Sequence, residues 1–273
     1  MKRDAAFAEF RTFFTDRFGE HRGAGIAGLA RGGFGLCDAA DAARATGRCR
    51  IGGPALLEPG TPWPRVEGHP LSLLAVVDCE ALSYWLDDVV PDHLGVLNFF
   101  YLDWNTRGRD GRAAKIAYTM DFQPYRLGAV LAADPRRAAE TPAPDGAGEL
   151  AARPQTATPG FGLPDIDGGV EQYLELDPDA YDLVSGISGG DWSTIPHVIH
   201  DWDFAFGHPV FPTGNAWAFP ADVDERGCHQ LLQLDEDSGV PLSDEAGRLH
   251  FVVPTGAWEA GDVTGAFAVE SFW

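Results

Sequence analysis

The densest run of residues able to do chemistry is His197-Val198-Ile199-His200-Asp201-Trp202-Asp203, with His208 shortly after. Imidazole and carboxylate together suit zinc or a similar divalent ion. On a helix His197, His200 and Asp201 share one face; on a strand His197, Asp201 and Asp203 align with a period of two. Either conformation seats two or three ligands, so His197, His200, Asp201 and Asp203 are candidate metal ligands, and a divalent metal is the one cofactor these residues allow. The spacing matches no established metal motif, and the run lies between Pro196 and Pro209, where polar loop residues are common.

Paired carboxylates are a second candidate. Asp235 and Asp244 fall near the ends of two apolar runs, where a turn could join them for acid–base work. A strand end and a turn also account for them, and Asp78 holds Asp235's place in an earlier, similar run. Among eight tryptophans, Trp63 sits in a proline-rich loop and is the best placed to stack on a sugar or peptide. No phosphate-cradling lysine loop follows a strand, and H-E-x-x-H is absent. Cys37, Cys49, Cys79 and Cys228 form no C-x-x-C pair and read as mostly buried thiols. On a strand, Cys228 and His229 would point to opposite faces.

The elements that must position these residues follow from composition and pattern. With 273 residues, 45% hydrophobic and 22% charged, the chain can bury a proper core. Phe7, Phe10, Phe14 and Phe18 recur at helical steps, and Gly19 can end that helix. The region 1–50 continues as a glycine-rich passage from Gly23 to Gly35. The segment 51–64 reads as a turn-rich entry loop, its regular structure excluded by Gly52, Gly53, Pro54, Pro59, Gly60, Pro62 and Pro64. Strand-length apolar runs then begin at Leu71, Gly95, Lys115 and Leu127, with a short helix expected from Cys79. Residues 134–168 hold six prolines among alanines and glycines and read as a linker or long excursion. A helix is expected over 169–184, and strands begin at Asn215, His229, Arg248 and Gly265. Strands dominate without regular alternation with helices, so the class is α+β: mixed or antiparallel sheets with short peripheral helices, in a single domain over 1–273.

Two segments echo each other. Leu73–Asp78 precedes a G-x-L-x-F strand at Gly95, Leu97 and Phe99; Leu231–Asp235 precedes another at Gly247, Leu249 and Phe251. The echo implies an internal duplication of a strand–helix–strand unit, the first copy within 51–133 and the second within 169–273.

Charge divides the chain along the same lines. Net charge is −21, yet residues 1–160 hold 18 basic and 20 acidic residues, whereas 161–273 hold only Arg226 and Arg248 against 21 acids. Such a half repels a phosphate backbone, so nucleic acid is not an expected partner. It suits a basic protein partner, or solubility alone. No stretch is apolar enough to span a bilayer, and charges interrupt the N-terminal phenylalanines where a secretory signal would be apolar. A cytoplasmic setting is expected.

These motifs resemble the YwqG-like family of bacterial proteins. Gly52, Gly53, Pro54, Trp63 and Pro64 look like its G-G-x-P…W-P opening. The runs from Pro70 to Asp78 and from Gly95 to Asp103 resemble its first two strands, and Phe206–Pro209 its L-G-Y-P turn. Leu231–Asp237 is similar to L-L-Q-I-D-S-D, and Ser243–Val253 to the strand that follows. Gln233 keeps a family glutamine that Val76 replaces in the first copy, so Gln233, with Asp235, Asp244 and Trp63, is a candidate ligand contact. Leu242 and Ser243 replace a tryptophan and a glycine. The resemblance implies an α+β fold with an internal duplication and no established reaction. The leading expectation is a non-catalytic binding domain. A metal-dependent hydrolase and a carbohydrate- or peptide-binding module are the alternatives.

Overall fold

The phenylalanine stripe folds as predicted. Helix α1 (Arg3–Phe18) buries Phe10 and Phe14, and Phe10 packs 5.1 Å from the ring of Phe161. Gly19, at φ +81°, ends the helix and donates its N–H to the Thr15 carbonyl. The glycine-rich passage that follows is not irregular. It forms helix α2 (Glu20–Gly28) and strand β1 (Arg31–Asp38). A Cβ on Gly23 would lie 2.3 Å from the Phe14 carbonyl oxygen, so glycine is what lets α2 fold back against α1.

The structure, a computed structural model, describes residues 2–86, 90–91, 94–119, 124–163, 195–199, 203–208, 219–220, 223, 227–242 and 246–272. The helix expected over 169–184 and most of the strand from Asn215 lie outside them.

The remaining strands are β2 (Arg50–Ile51), β3 (Ala55–Leu57), β4 (Arg65–Val66), β5 (His69–Pro70), β6 (Ser72–Asp78), β7 (Val96–Tyr101), β8 (Gly128–Ala133), β9 (Ala139–Thr141), β10 (Arg153–Gly162), β11 (Phe204–Phe206), β12 (Cys228–Asp235), β13 (Ala246–Pro254) and β14 (Phe267–Phe272). Helices α3 (Cys79–Leu86), α4 (Trp104–Arg109), α5 (Gly111–Thr119) and α6 (Thr255–Glu259) lie between them. Ten strands form one antiparallel sheet in the order β14-β13-β12-β11-β1-β10-β2-β6-β7-β8. It curls until its outer strands meet, Gly128 of β8 against Ala268 of β14, which makes it nearly a barrel. Phe99 and Phe251 pack 5.1 Å apart in the core between the two ends of the sheet. No helix among the described residues is long and apolar enough to cross a membrane.

Three expectations fail. The segment 51–64 is not without regular structure: Ile51 belongs to β2, and Ala55–Leu57 forms β3, which pairs with β9. The run from Lys115 is not a strand but part of α5: Ala113, Ile116 and Ala117 face the core at steps of three and four, while Tyr118 is 84% exposed. The presumed linker 134–168 contains β9, paired with β3, and β10, which runs through the middle of the sheet against β1. Proline is tolerated there by phase. The N–H groups of Ala157 and Phe161 point away from β1, to Thr46 Oγ1 and the His197 carbonyl. Pro159 lies two residues from each, so its missing N–H removes no bond to β1.

The β6–β7 and β12–β13 hairpins share one register. Asp78 opposes Val96 and Asp235 opposes Arg248; Ala75 opposes Phe99 and Leu232 opposes Phe251. Each has an irregularity at the same step, around Leu74 and Leu231. β2 borders β6 as β11 borders β12, and both short strands lead into consecutive positive-φ residues, Gly52-Gly53 and Phe206-Gly207.

Candidate functional site

The sequence-predicted residues are sorted by these strands. Asp235 ends β12, buried, and its Oδ2 accepts the Arg248 Nε–H at 3.2 Å from the facing position of β13. Its Oδ1 accepts the Asp237 N–H at 3.2 Å, which caps the turn Glu236–Ser238. Its own N–H donates to Asp203 Oδ1 at 2.7 Å, just before β11. Asp203 and Asp235 are therefore joined through a backbone amide. On the adjoining strands Arg153 of β10 bridges Asp38 at 3.0 Å and the Ser238 carbonyl, and Gln155 Nε2 donates to Asp38 Oδ1 at 2.6 Å.

Burial pushes the Asp203 carboxyl up to about 7; the Asp235 N–H opposes that rise, and the Asp235 charge adds to it. A carboxyl poised there can give or take a proton near neutrality. The first hairpin supplies the comparison. Asp78 accepts Arg48 Nε–H at 2.8 Å and the Ala81 N–H at 3.3 Å, and donates its own N–H to Cys49 Sγ at 3.3 Å. Cys49 precedes β2 as Asp203 precedes β11. A strand-end aspartate clamped by arginine is thus common to both hairpins, whereas a carboxylate as its acceptor occurs only in the second. Burial pushes the Cys49 thiol up to about 12, which leaves it protonated and inert.

Replacing Asp203 with Asn tests this carboxyl without removing the acceptor. A carboxyl raised in the fold above its ordinary value of 3.8 holds a proton that the unfolded chain has lost, so stability falls as pH rises from about 4 through 7. Asp203→Asn should match the wild type at pH 4 and exceed it at pH 8 by about 2–4 kcal/mol. Parallel melting curves for the two proteins across that range would sink the assignment.

The histidine run is divided. His197, at φ +60°, has its Nε2 2.9 Å from Glu9 Oε2 of α1, and its carbonyl accepts the Phe161 N–H. Phe161 pairs with Gly32, while the Asp203 carbonyl accepts from Leu36, four residues along β1. That separation is about 13 Å of strand, so His197 and Asp203 are not brought together. His200, Asp201 and Asp244 lie outside the described residues. So does Gly186-Ile187-Ser188-Gly189-Gly190, which fits the G-x-S-x-G nucleophile pattern by letter. No group of three metal-ligating side chains occurs among the described residues.

Trp63 donates its Nε1–H to the Leu71 carbonyl at 2.7 Å and packs edge-on against Phe100, 5.0 Å away. Gln233 is wholly buried between Phe204 and His250.

Residues 49–264 match the family described as Domain of unknown function (DUF1963). The chain belongs to the DUF1963 family. No curated protein matches it. The DUF1963 match covers both hairpins, Asp203 and Asp235, and begins after α1, α2 and β1. A recess of this DUF1963 protein, about 390 Å³, is lined by Thr106, Arg109, Asp110 and residues 146–149. Asp103 and Ser72 lie behind it, bonded to Thr106 and Gly148. Its sequence signal is Asp103-x-x-Thr106, the spacing of a helix N-cap.

Proposed function

We propose that this protein is a non-catalytic binding domain whose acidic C-terminal half docks a basic protein partner. The observation that carries the reading is the charge of residues 161–273 together with the fate of Arg248. Only two arginines offset 21 acids there, and Arg248 is withdrawn from the surface into its pair with Asp235. Glu236 and Asp237 at one end of the β12–β13 hairpin, and Glu259 and Asp262 at the other, remain exposed. Acidic surface of this kind steers a basic partner at long range and loses hold of it as salt rises.

The test is titration with a short polylysine at low and physiological salt. Neutralising Glu236, Asp237, Glu259 and Asp262 together should weaken binding at least tenfold, while neutralising the exposed Asp4, Asp16 and Glu80 should change it little. Equal losses from the two sets, or binding that ignores salt, would refute the acidic half as the docking surface.

Two finer readings accompany it. The shared register, irregularity and positive-φ turns of the hairpins support an internal duplication, with Cys49 and Asp203 in corresponding places. The ordered motifs from Gly52 to Val253 support placement among YwqG-like proteins, and the cysteine usage supports a cytoplasmic setting.

A further inference from the structure

Arg31 is an anomaly in a chain of net charge −21. It opens β1 as a part-buried guanidinium, and its acceptor is a carbonyl: Nη1 donates to Cys228 O at 3.4 Å. No carboxylate among the described residues offsets its burial, which alone lowers its pKa. A desolvated cation held this way is costly unless an anion completes it.

Two histidines lie close enough to feel its charge. Gly162 pairs with Arg31 across β1 and β10, and a Cβ there would lie 3.2 Å from the His208 backbone nitrogen. The His208 ring donates its Nε2–H to the Leu29 carbonyl at 2.6 Å, two residues before Arg31. Cys228, whose carbonyl Arg31 meets, precedes His229, and the His229 ring stacks on Trp258 at 5.7 Å and 25°. The end of β10, the turn after β11, the start of β12 and α6 thus converge on the start of β1.

We propose that Arg31, with His208 and His229 beside it, binds a small oxyanion of the carboxylate or phosphate type. A guanidinium carries five N–H donors in a planar fork, and one bond to a carbonyl leaves most of them for a ligand. Burial first, and the Arg31 charge second, hold both imidazoles down to about 4, so near neutrality both are uncharged and a single positive charge marks the site. His208 spends its one N–H on the Leu29 carbonyl, which leaves the His229 ring as the one able to donate beside Arg31. The acidic remainder of the chain does not forbid this, because fields of exposed charges are screened beyond about 8 Å at physiological salt. This site has the opposite sign to the proposed docking surface and is independent of it.

The experiment compares melting temperatures of the intact protein in sodium phosphate, acetate and chloride at equal ionic strength and pH. Phosphate, acetate or both should raise the midpoint by a few degrees over chloride in the wild type and leave Arg31→Gln unmoved. An effect of acetate alone identifies a carboxylate site, and an effect of phosphate alone a phosphate site. Arg31→Gln removes one long bond to a carbonyl and should fold. Independently of that variant, phosphate or acetate should shift the ring signals of His208 and His229 saturably in the wild-type NMR spectrum while His69 and His250 stay put. No midpoint difference among the salts, an equal rise in Arg31→Gln, or immobile His208 and His229 signals would overturn the site.

Discussion

Arg107→Met is expected to destabilise the protein by about 3–5 kcal/mol, the usual loss when one partner of a buried ion pair is removed. Arg107 of α4 is buried, with its Nε–H on the Leu102 carbonyl at 2.7 Å and Nη2 on the Tyr101 hydroxyl at 2.7 Å. The same Nη2 lies 3.5 Å from Glu270 Oε1 on β14, and the guanidinium sits 5.1 Å from the Tyr101 ring centre. Methionine fills much of the volume and leaves a buried carboxylate without its cation. The melting midpoint should drop by about 10 °C or more. The double variant Arg107→Met/Glu270→Gln should recover part of that loss, because the uncompensated charge is gone. A midpoint within a couple of degrees of wild type for the single variant would show that Glu270 does not depend on Arg107. The contact ties the first half of the chain to the last strand, near where β8 meets β14. Loss of stability here therefore opens the sheet at its closure.

Local periodicity made much of this fold legible. The phenylalanines of α1, the alternating run of β7 and the apolar strands β6, β8, β12, β13 and β14 each declare themselves within a few residues. What sequence could not supply was context. The Lys115 run has the composition of a strand, and only the burial of Ala113, Ile116 and Ala117 on one side reveals a helix. β10 was hidden because proline counts against a strand, a rule that fails when the missing N–H points away from the partner, as at Pro159. The passage from Gly23 to Gly35 showed only its glycine content, although the missing side chain of Gly23 is what packs α2 on α1.

The candidate sites were less legible, for a related reason. Asp235 was visible as a strand-end carboxylate, but its link to Asp203 depends on β11 lying beside β12, a pairing between segments more than twenty residues apart in sequence. The HVIHDWD run looked like one site because its members are neighbours in sequence; the chain instead sends His197 towards α1 and Asp203 towards Asp235. Arg31 and His229 carried no motif, and His208 stood out only beside the histidine run and within the Phe206–Pro209 turn. Three strand ends bring them together, and no spacing rule connects residues so far apart.

Asp103→Ala should be the second severe substitution, costing about 3–4 kcal/mol from a lost cap and stranded buried hydroxyls. Asp103 caps α4 by accepting the Thr106 N–H at 2.9 Å on Oδ1. Its Oδ2 accepts from the Thr106 hydroxyl at 2.7 Å and from the Ser72 hydroxyl, and Ser72 Oγ in turn accepts the Gly148 N–H at 2.7 Å. One carboxylate thus joins α4, β6 and the 146–149 loop behind the 390 Å³ recess. A Cβ on Gly148 would stand 2.6 Å from Asp103 Oδ2, so the loop closes directly over it. Alanine deletes the cap and leaves two buried hydroxyls without their acceptor. Asparagine keeps an acceptor for the Thr106 N–H but puts an NH₂ where the hydroxyls donate, so Asp103→Asn should lose about half as much. Hydrogen exchange would separate this from a general loss of stability: the Gly148 amide should lose protection in both variants before the β12–β13 amides do. If the asparagine variant melts with the wild type while the alanine variant does not, the cap alone accounts for Asp103 and the carboxylate is not the knot that holds the loop.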